Sequence, residues 1–311
     1  MLSYASGTSD VALLGETIGA NLERTVASFG DNEALVEWAT GRRWTYRQLD
    51  DDVNSLAGAL LARGIAKGDR VGIWSPNCAE WVLTQYATAK IGTILVNVNP
   101  AYRSHELAYA LNQSGIRLLL VAAADQRSDY PAMAKAAAPE CPVLEETLVI
   151  GSPGWEALLG SGAAIAEQAV RERGAELSFD DPINIQYTSG TTGYPKGALL
   201  SHHHILNNGY FVGELLGYSD SDRICLPVPF YHCFGMVMGN LGATSHGSCI
   251  VIPAPSFDPG ATLESVAAEQ CTSLYGVPTM FIAELGHPSL GSLDMSSLRT
   301  GIMAGSPCRS R

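Results

Sequence analysis

Residues 187–197 read YTSGTTGYPKG and concentrate the groups that bind anions in proteins. After the tyrosine the stretch contains four hydroxyl side chains, three glycines and Lys196, one of only four lysines in the chain. Glycine lets backbone N–H groups approach an anion closely, and a lysine ammonium neutralises phosphate oxygens. The pattern therefore predicts a phosphate-binding loop after the apolar strand INIQYT. The predicted phosphate contacts are Thr188, Ser189, Gly190, Thr191, Thr192, Gly193 and Lys196.

The residues around Lys196 exclude a Walker-type P-loop. That loop places Gly-Lys-Ser/Thr at the start of a helix, whereas Lys196 lies between Pro195 and Gly197. The following residues, GALLSH, predict a returning strand, so the loop joins two strands. Composition alone leaves one alternative open, which is an ordinary surface loop rich in Gly, Ser and Thr.

Composition and charge limit the classes of protein to which the chain can belong. The 311 residues are 46% hydrophobic and 16% charged, which predicts a large core and about two domains. The net charge of −12 argues against nucleic acid or an anionic membrane as the main partner. Seven cysteines without C-x-x-C spacing argue against disulfides and zinc. With no signal-like start and no apolar run of about 18 residues, we expect a soluble cytoplasmic protein with no integral membrane segment.

Strand and helix patterns alternate along the chain, which predicts an α/β fold with mostly parallel sheets. EALVEW and RRWTY flank Gly41 as a hairpin, and Thr45 and Gln48 form a capping box that starts the next helix. That helix is expected to end before Gly64. Residues 124–180 are predicted to hold surface helices and a variable connection.

Two runs of identical residues resemble sites but are interpreted as helix starts. The run HHH at 202–204 suggests metal binding, but consecutive residues do not share one helix face. We expect a helix that begins there and is capped by Ser201. The run DDD at 50–52 is interpreted as a solvated first helical turn. Neither run predicts a metal site.

Several segments together resemble the adenylate-forming, or AMP-binding, enzymes. YTSGTTGYPKG is similar to the central motif of that superfamily, and PFYHCFGM, GVPT and GIMAGSP follow it in the family's order. Upstream, WTYRQL, GDRVGIWSPN and NVNPAYRSHEL also match. The resemblance covers nearly the whole chain and is nearest to the fatty acyl-CoA synthetases.

The resemblance implies a fold and a division of the chain. The fold would be the large N-terminal adenylation domain of the acyl-CoA synthetase/luciferase type, with βαβ layers and mostly parallel sheets, incomplete at its C-terminus. Residues 1–180 would form a first α/β subdomain region. Residues 181–311 would form a second region that carries the phosphate loop. The family's small C-terminal lid domain has no counterpart here.

The resemblance also implies an activity, that of an AMP-forming fatty acyl-CoA ligase. Such an enzyme joins a carboxylic acid to ATP and passes the acyl group to CoA, with Mg²⁺ bridging the phosphates. Carried over by position, the catalytic residues would be Thr188, Lys196 and His232, with His232 acting as a steric gate beside the acyl tunnel. The alternative for His232 is a buried histidine packed beside Phe230, Tyr231 and Phe234.

The turn after the last predicted strand would contact the adenine. By resemblance these residues are Gly305, Ser306 and Pro307, and the alternative is a plain strand-ending turn. PFYHCFGM contains no aspartate of the kind that binds an amino group, which favours a simple carboxylic acid. Its chain length, and whether it is alkyl or aryl, stay open.

The chain departs from the family after AGSPC. The glutamate that holds Mg²⁺, the aspartate that binds ribose and the lid lysine have no counterpart in the sequence. We therefore expect a truncated or frame-shifted form of a longer enzyme, weak or inactive alone. A catalytically silent fragment that binds a nucleotide or an acyl group is the alternative function.

Overall fold

Two six-stranded, mostly parallel sheets form the framework of the protein. The computed structural model describes residues 10–162, 167–188 and 195–307. The first sheet has the order β12-β11-β9-β10-β1-β2, and the second has the order β6-β5-β3-β4-β7-β8. Two edge pairs, β1 with β2 and β7 with β8, are antiparallel, and the other strand pairs of both sheets are parallel. This confirms the predicted α/β fold with mostly parallel sheets.

The strands of the first sheet are β1 (Glu33–Glu37), β2 (Arg42–Thr45), β9 (Arg223–Cys225), β10 (Cys249–Ile252), β11 (Ser273–Gly276) and β12 (Thr300–Met303). The strands of the second sheet are β3 (Arg70–Trp74), β4 (Ile94–Asn97), β5 (Leu118–Val121), β6 (Glu146–Val149), β7 (Pro182–Thr188) and β8 (Lys196–Ser201).

The α-helices are α1 (Ile18–Phe29), α2 (Tyr46–Ala62), α3 (Ala79–Ile91), α4 (Ser104–Ser114), α5 (Tyr130–Ala137), α6 (Pro153–Gly162), α7 (Glu167–Ala175), α8 (His202–Leu216), α9 (Gly242–Thr244), α10 (Pro259–Glu269) and α11 (Pro278–Leu285). Short 3₁₀ turns occupy Ala138–Glu140 and Pro288–Ser292, and a π-helix spans Phe234–Leu241.

One core joins the two sheets, and smaller cores cover their outer faces. The central core contains residues of α2 and α3 together with strands of both sheets. Helix α3 is buried on nearly all sides, with Trp81 and Tyr86 fully enclosed. It therefore lacks the polar face of a surface helix. Helices α4 and α5 cover the outer face of the second sheet, and α10 covers that of the first.

The structure confirms several local predictions. Thr45 and Gln48 form the capping box of α2, and Gly64 follows that helix with a φ of 73°. Ser201 accepts a hydrogen bond from the backbone N–H of His204, as the cap of α8. The imidazole Nδ1 of His204 in turn accepts the N–H of Ser201, so this histidine completes a reciprocal cap. The histidine run is thus a helix start.

Two interpretations of the sequence need correction. The aspartates at 50–52 lie in the second turn of α2, because the capping box starts the helix at Tyr46. Asp50 is only partly solvated, since its side chain is 17% exposed and its carboxylate lies 2.7 Å from the ammonium of Lys90. Strand β6 lies within the predicted variable connection. It was missed because its burial is incomplete, as for an edge strand.

Each sheet takes strands from both halves of the chain. The hairpin β1–β2 joins strands that follow residue 220, and β7 and β8 join strands that precede residue 150. The two sheets therefore do not divide the chain at residue 180, and the predicted subdomain boundary stays a prediction.

A topological switch point lies in the second sheet. The chain passes from β3 to β4 on one side and then crosses back to β5 on the other. In open parallel sheets such a reversal opens a crevice at the carboxyl ends of the strands, where ligands bind.

Among the described helices, none is both long and apolar enough to span a bilayer.

Glu284 on α11 gives a testable pH dependence. Its side chain is buried, its Oε1 has no hydrogen-bond partner among the described residues, and burial raises its pKa to about 7. A raised folded-state pKa stabilises the fold below the unfolded pKa, and this contribution is lost as the pH rises through 7. We therefore compare the free energies of unfolding of Glu284→Gln and wild type, measured by urea unfolding. We expect the difference in favour of Glu284→Gln to increase by about 1–2 kcal/mol from pH 5 to pH 8.

Glu264→Gln, at an exposed position of α10, is the matched control for removing one negative charge. An equal effect of Glu284→Gln at both pH values would show that Glu284 does not titrate in this window.

Candidate functional site

The predicted phosphate loop is carried by the antiparallel pair β7–β8. Thr188 and Lys196 are register partners at the end of this pair, and the Thr188 hydroxyl donates to the Lys196 carbonyl at 3.5 Å. Both residues are exposed. The chain returns from the loop as a strand, which agrees with the exclusion of a Walker-type loop. The other predicted contacts lie outside the described residues: Ser189, Gly190, Thr191, Thr192 and Gly193.

Helix α4 anchors the base of the loop. The Tyr109 hydroxyl donates to the carbonyl of Pro195 at 3.1 Å, and the Tyr187 hydroxyl donates to the carbonyl of Ala110 at 3.1 Å. Gly197 lies so close to Ile185 that a Cβ at this position would approach its methyl group to 2.9 Å. The two strands are thus fixed to the body of the second sheet while Lys196 stays accessible.

His232 lies on the segment that follows β9, and its side chain is exposed. Its Nδ1 accepts a hydrogen bond from the backbone N–H of Phe234 at 3.1 Å, so the proton of the neutral ring is on Nε2. Partial burial lowers the pKa of His232, which favours the neutral ring at pH 7. The alternative of a buried histidine is wrong, because the phenylalanines on either side occupy the core and the imidazole does not.

Side-chain amides of the second sheet hold this segment. Asn77, after β3, donates from Nδ2 to the carbonyl of Val228 at 2.9 Å and accepts the N–H of Phe230 at 2.8 Å. Gln186, on β7, donates from Nε2 to the carbonyl of Tyr231 at 2.9 Å. The residue before His232 is therefore hydrogen-bonded to the strand that leads into the phosphate loop.

A π-helix begins two residues after His232. Such wide turns are rare and are frequent at functional sites. The Gln85 amide donates to the Met236 carbonyl at 3.1 Å, and Asn240 donates to Gln85 at 3.0 Å. The Tyr275 hydroxyl donates to the Met238 carbonyl at 3.1 Å. Sequence periodicity gave no signal for this element, because its turn differs from the 3.6-residue repeat of an α-helix.

A cleft of about 400 Å³ opens at the carboxyl ends of the strands around the switch point. Its lining includes Asn77, Arg103, Arg127, Tyr231 and Met280. Arg103 is oriented by a hydrogen bond of 2.9 Å from its guanidinium to the Ser128 hydroxyl. Arg103 and Arg127 are two cationic side chains in this lining, with Asp125 as an acidic one, and sequence reasoning did not identify any of them. These side chains come together because of the order of the strands. The sequence does not contain that order, so no sequence signal could have found the cleft.

A larger cavity, of about 460 Å³, surrounds Lys90. The ammonium of Lys90 lies 3.2 Å from a carboxylate oxygen of Glu23 and 2.7 Å from one of Asp50. Neither cavity is lined by the residues predicted for the site. The cleft at the switch point is the better candidate for ligand binding, because Tyr231, the neighbour of His232, and Asn77, which holds the His232 segment, line it.

The predicted adenine turn follows β12. Gly305 has a φ of 86°, and Gly305, Ser306 and Pro307 are exposed. Because β9, β11 and β12 are parallel, this turn lies at the same edge of the first sheet as the segment that carries His232. The roles of these residues stay predictions.

The charged groups near the loop suit a phosphate rather than a metal held by protein alone. Within 10–162, 167–188 and 195–307, no three His, Cys, Asp or Glu side chains form a group that could hold an ion. The exposed ammonium of Lys196 instead presents donors to anionic oxygens, while the Thr188 hydroxyl donates to the Lys196 carbonyl. Mg²⁺ bound mainly through substrate phosphates is compatible with these donors.

Comparison with known proteins identifies the family. Residues 22–311 match the AMP-binding enzyme family. The medium-chain acyl-CoA ligase ACSF2, mitochondrial, of Danio rerio is 42% identical over 326 residues, which cover 98% of this chain and 54% of that protein. The chain spans about half the length of the curated relatives it matches.

Solved structures show the same fold. The N-terminal domain of FACL13 from Mycobacterium tuberculosis superposes with a TM-score of 0.81 and 26% identity, covering 94% of this chain and 71% of that one. The anthranilate CoA ligase AuaEII in complex with anthranoyl-AMP superposes with a TM-score of 0.82 and 25% sequence identity, covering 96% of this chain and 55% of that one. These matches confirm the resemblance drawn from the motifs, and the chain belongs to the AMP-binding enzyme family.

Proposed function

We propose that the protein is an AMP-forming acyl-CoA ligase that activates a fatty acid. The observation that carries this proposal is the Gln186–Tyr231 hydrogen bond, which joins the strand leading into the loop of Lys196 to the segment of His232. A phosphate site and a candidate substrate gate are thereby adjacent. A medium-chain acid is the first candidate, because the relative ACSF2 is named a medium-chain acyl-CoA ligase.

The first half-reaction is adenylation. A carboxylate oxygen attacks the α-phosphorus of ATP, the bond from that phosphorus to the bridging oxygen of the β-phosphate breaks, and pyrophosphate leaves. Lys196 and the Thr188 hydroxyl stabilise negative charge that grows on the leaving group. Lys196 and Thr188 would hold the phosphates, and Mg²⁺ held mainly by those phosphates would supply further positive charge against the leaving group. Gly305, Ser306 and Pro307 contact the adenine.

His232 controls access rather than proton transfer. A carboxylic acid is already ionised near pH 7, so adenylation requires no general base. A neutral, exposed imidazole beside the π-helix can instead limit where the acyl chain enters.

In the second half-reaction the thiol of CoA attacks the acyl carbon and AMP leaves. Arg103 and Arg127 in the cleft attract the phosphates of CoA. The predicted cytoplasmic location stays a prediction, because the relative ACSF2 is mitochondrial.

Replacing Lys196 tests the proposed activity. We expect Lys196→Ala to reduce carboxylate-dependent ATP–pyrophosphate exchange by about 10²-fold or more, because a cation at the leaving group is lost. Exchange is measured with a panel of alkyl and aryl acids, and ATP binding is measured by calorimetry on the same samples.

Lys135→Ala is the matched control, since Lys135 is an exposed lysine near the end of α5. Exchange that survives in Lys196→Ala would overturn the role of Lys196. ATP binding without exchange for any acid would favour the alternative, a catalytically silent fragment that binds a nucleotide or an acyl group.

Replacing His232 tests the gate. We expect His232→Ala to change the KM for the carboxylate by about tenfold while the KM for ATP stays within twofold, because only the acyl path is altered. His232→Gln, of similar size, should restore the wild-type KM for the acid. A loss of kcat in both variants, with unchanged KM, would instead indicate proton transfer.

A further inference from the structure

A row of buried side-chain amides crosses the second sheet and ends at the candidate site. Asn184 donates to Asn97 at 2.9 Å, and Asn97 donates to the Oε1 of Gln186 at 3.1 Å. Gln186 then donates to the Tyr231 carbonyl at 2.9 Å. All three amide side chains are at most 6% exposed. The sequence of hydrogen bonds thus leads from the interior of the sheet to the backbone beside His232.

The strand register explains why the row can form. Asn97 on β4 is the register partner of Gln186 on β7, and Asn184 lies two residues before Gln186 on the same face. Three amides on one face of a buried strand pair cost free energy unless they are hydrogen-bonded to each other or to backbone. Here the far end of the row is bonded outside the sheet, to the segment 228–232.

Gln186 is also close in sequence to the phosphate loop. It lies two residues before Thr188, and its own strand continues into the loop. A shift of this side chain would therefore move the backbone at Tyr231 relative to the strand that leads to the phosphate site. Positional errors of about 1 Å between reacting groups can reduce rates about 10²-fold.

We propose that Gln186 is a positioning residue that sets the distance between the His232 segment and β7, the strand that leads towards Lys196. The expected effect on kcat rests on the proposed function, whereas the expected effect on the position of the His232 segment does not. In this proposal Gln186 contacts none of the substrates, which are the carboxylic acid, ATP and CoA. It acts through the Tyr231 carbonyl.

The test compares Gln186→Met with Asn207→Leu. Methionine has a similar size to glutamine but cannot donate to Tyr231. Asn207 on α8 is an equally buried amide, 6% exposed, that bonds to the N–H and the carbonyl of Leu14. Its replacement removes a comparable set of buried hydrogen bonds that do not involve residues 228–236.

Two readouts separate positioning from stability. In hydrogen–deuterium exchange we expect residues 229–236 to exchange about tenfold faster in Gln186→Met than in Asn207→Leu, because the anchor of Tyr231 is lost. In kinetics we expect the kcat of ATP–pyrophosphate exchange to fall about ten- to a hundredfold in Gln186→Met with the calorimetric Kd for ATP unchanged. Both variants should lower the Tm.

Each result decides the proposal. Equal deuterium uptake of residues 229–236 in the two variants would overturn it, as would a fall in kcat in Asn207→Leu as large as in Gln186→Met. A third outcome is faster deuterium uptake in Gln186→Met when the wild-type protein shows no ATP–pyrophosphate exchange. This outcome would support the structural link and refute the proposed function instead. If Gln186→Met does not fold, Gln186→Glu, measured at a pH at which its carboxylate is ionised, keeps the acceptor for Asn97, removes the donor to Tyr231 and is judged by the same readouts.

Discussion

The segment that carries His232 depends on hydrogen bonds to side chains of the opposite sheet. It follows β9 of the first sheet, but Asn77 and Gln186 of the second sheet bind the backbone groups of Val228, Phe230 and Tyr231. Val228 and Phe230 are fully buried, so these groups have no access to water. A buried backbone group without a partner costs about 1–3 kcal/mol. The same bonds that satisfy the segment therefore determine its position between the sheets.

This arrangement is possible because the two sheets share one core and open towards the same cleft. The β3 loop with Asn77, the segment with Tyr231 and Pro255 after β10 all line the cleft. The N–H of Asn77 also donates to the carbonyl of Pro255 at 3.0 Å, which adds a backbone contact between the sheets. A chain with a net charge of −12 thus forms a local site with Arg103 and Arg127, and local geometry rather than net charge decides what such a site attracts.

A network of partly exposed ion pairs reinforces the first sheet in a similar way. Arg223 on β9 bonds to Glu33 at 2.7 Å, and Glu269 at the end of α10 accepts hydrogen bonds from both Arg223 and Arg43. The charges come from the hairpin β1–β2, from β9 and from α10, and each guanidinium has two carboxylates as partners. Paired in this way, the buried carboxylate of Glu269 avoids the desolvation penalty of an isolated buried ion, and the network fixes the hairpin beside the helix.

Local chemistry determined what the sequence could predict alone. The caps at Thr45 and Ser201 and the strand before the loop follow from residues a few positions apart, and the family motifs follow from short strings. The start of α2 shows that even a local signal can be misapplied, because the aspartates at 50–52 fall one turn later than expected.

The tertiary structure decided the rest, because the contacts concerned join residues far apart in the chain. Gln186 and Tyr231 are 45 residues apart, and Asn77 and Phe230 are 153 apart. No periodicity reveals such pairs, and the order of the strands that forms the cleft is likewise absent from the sequence. The sequence by itself therefore determined most of the elements and excluded a Walker-type loop, whereas packing of the two sheets decided which side chains meet at the site.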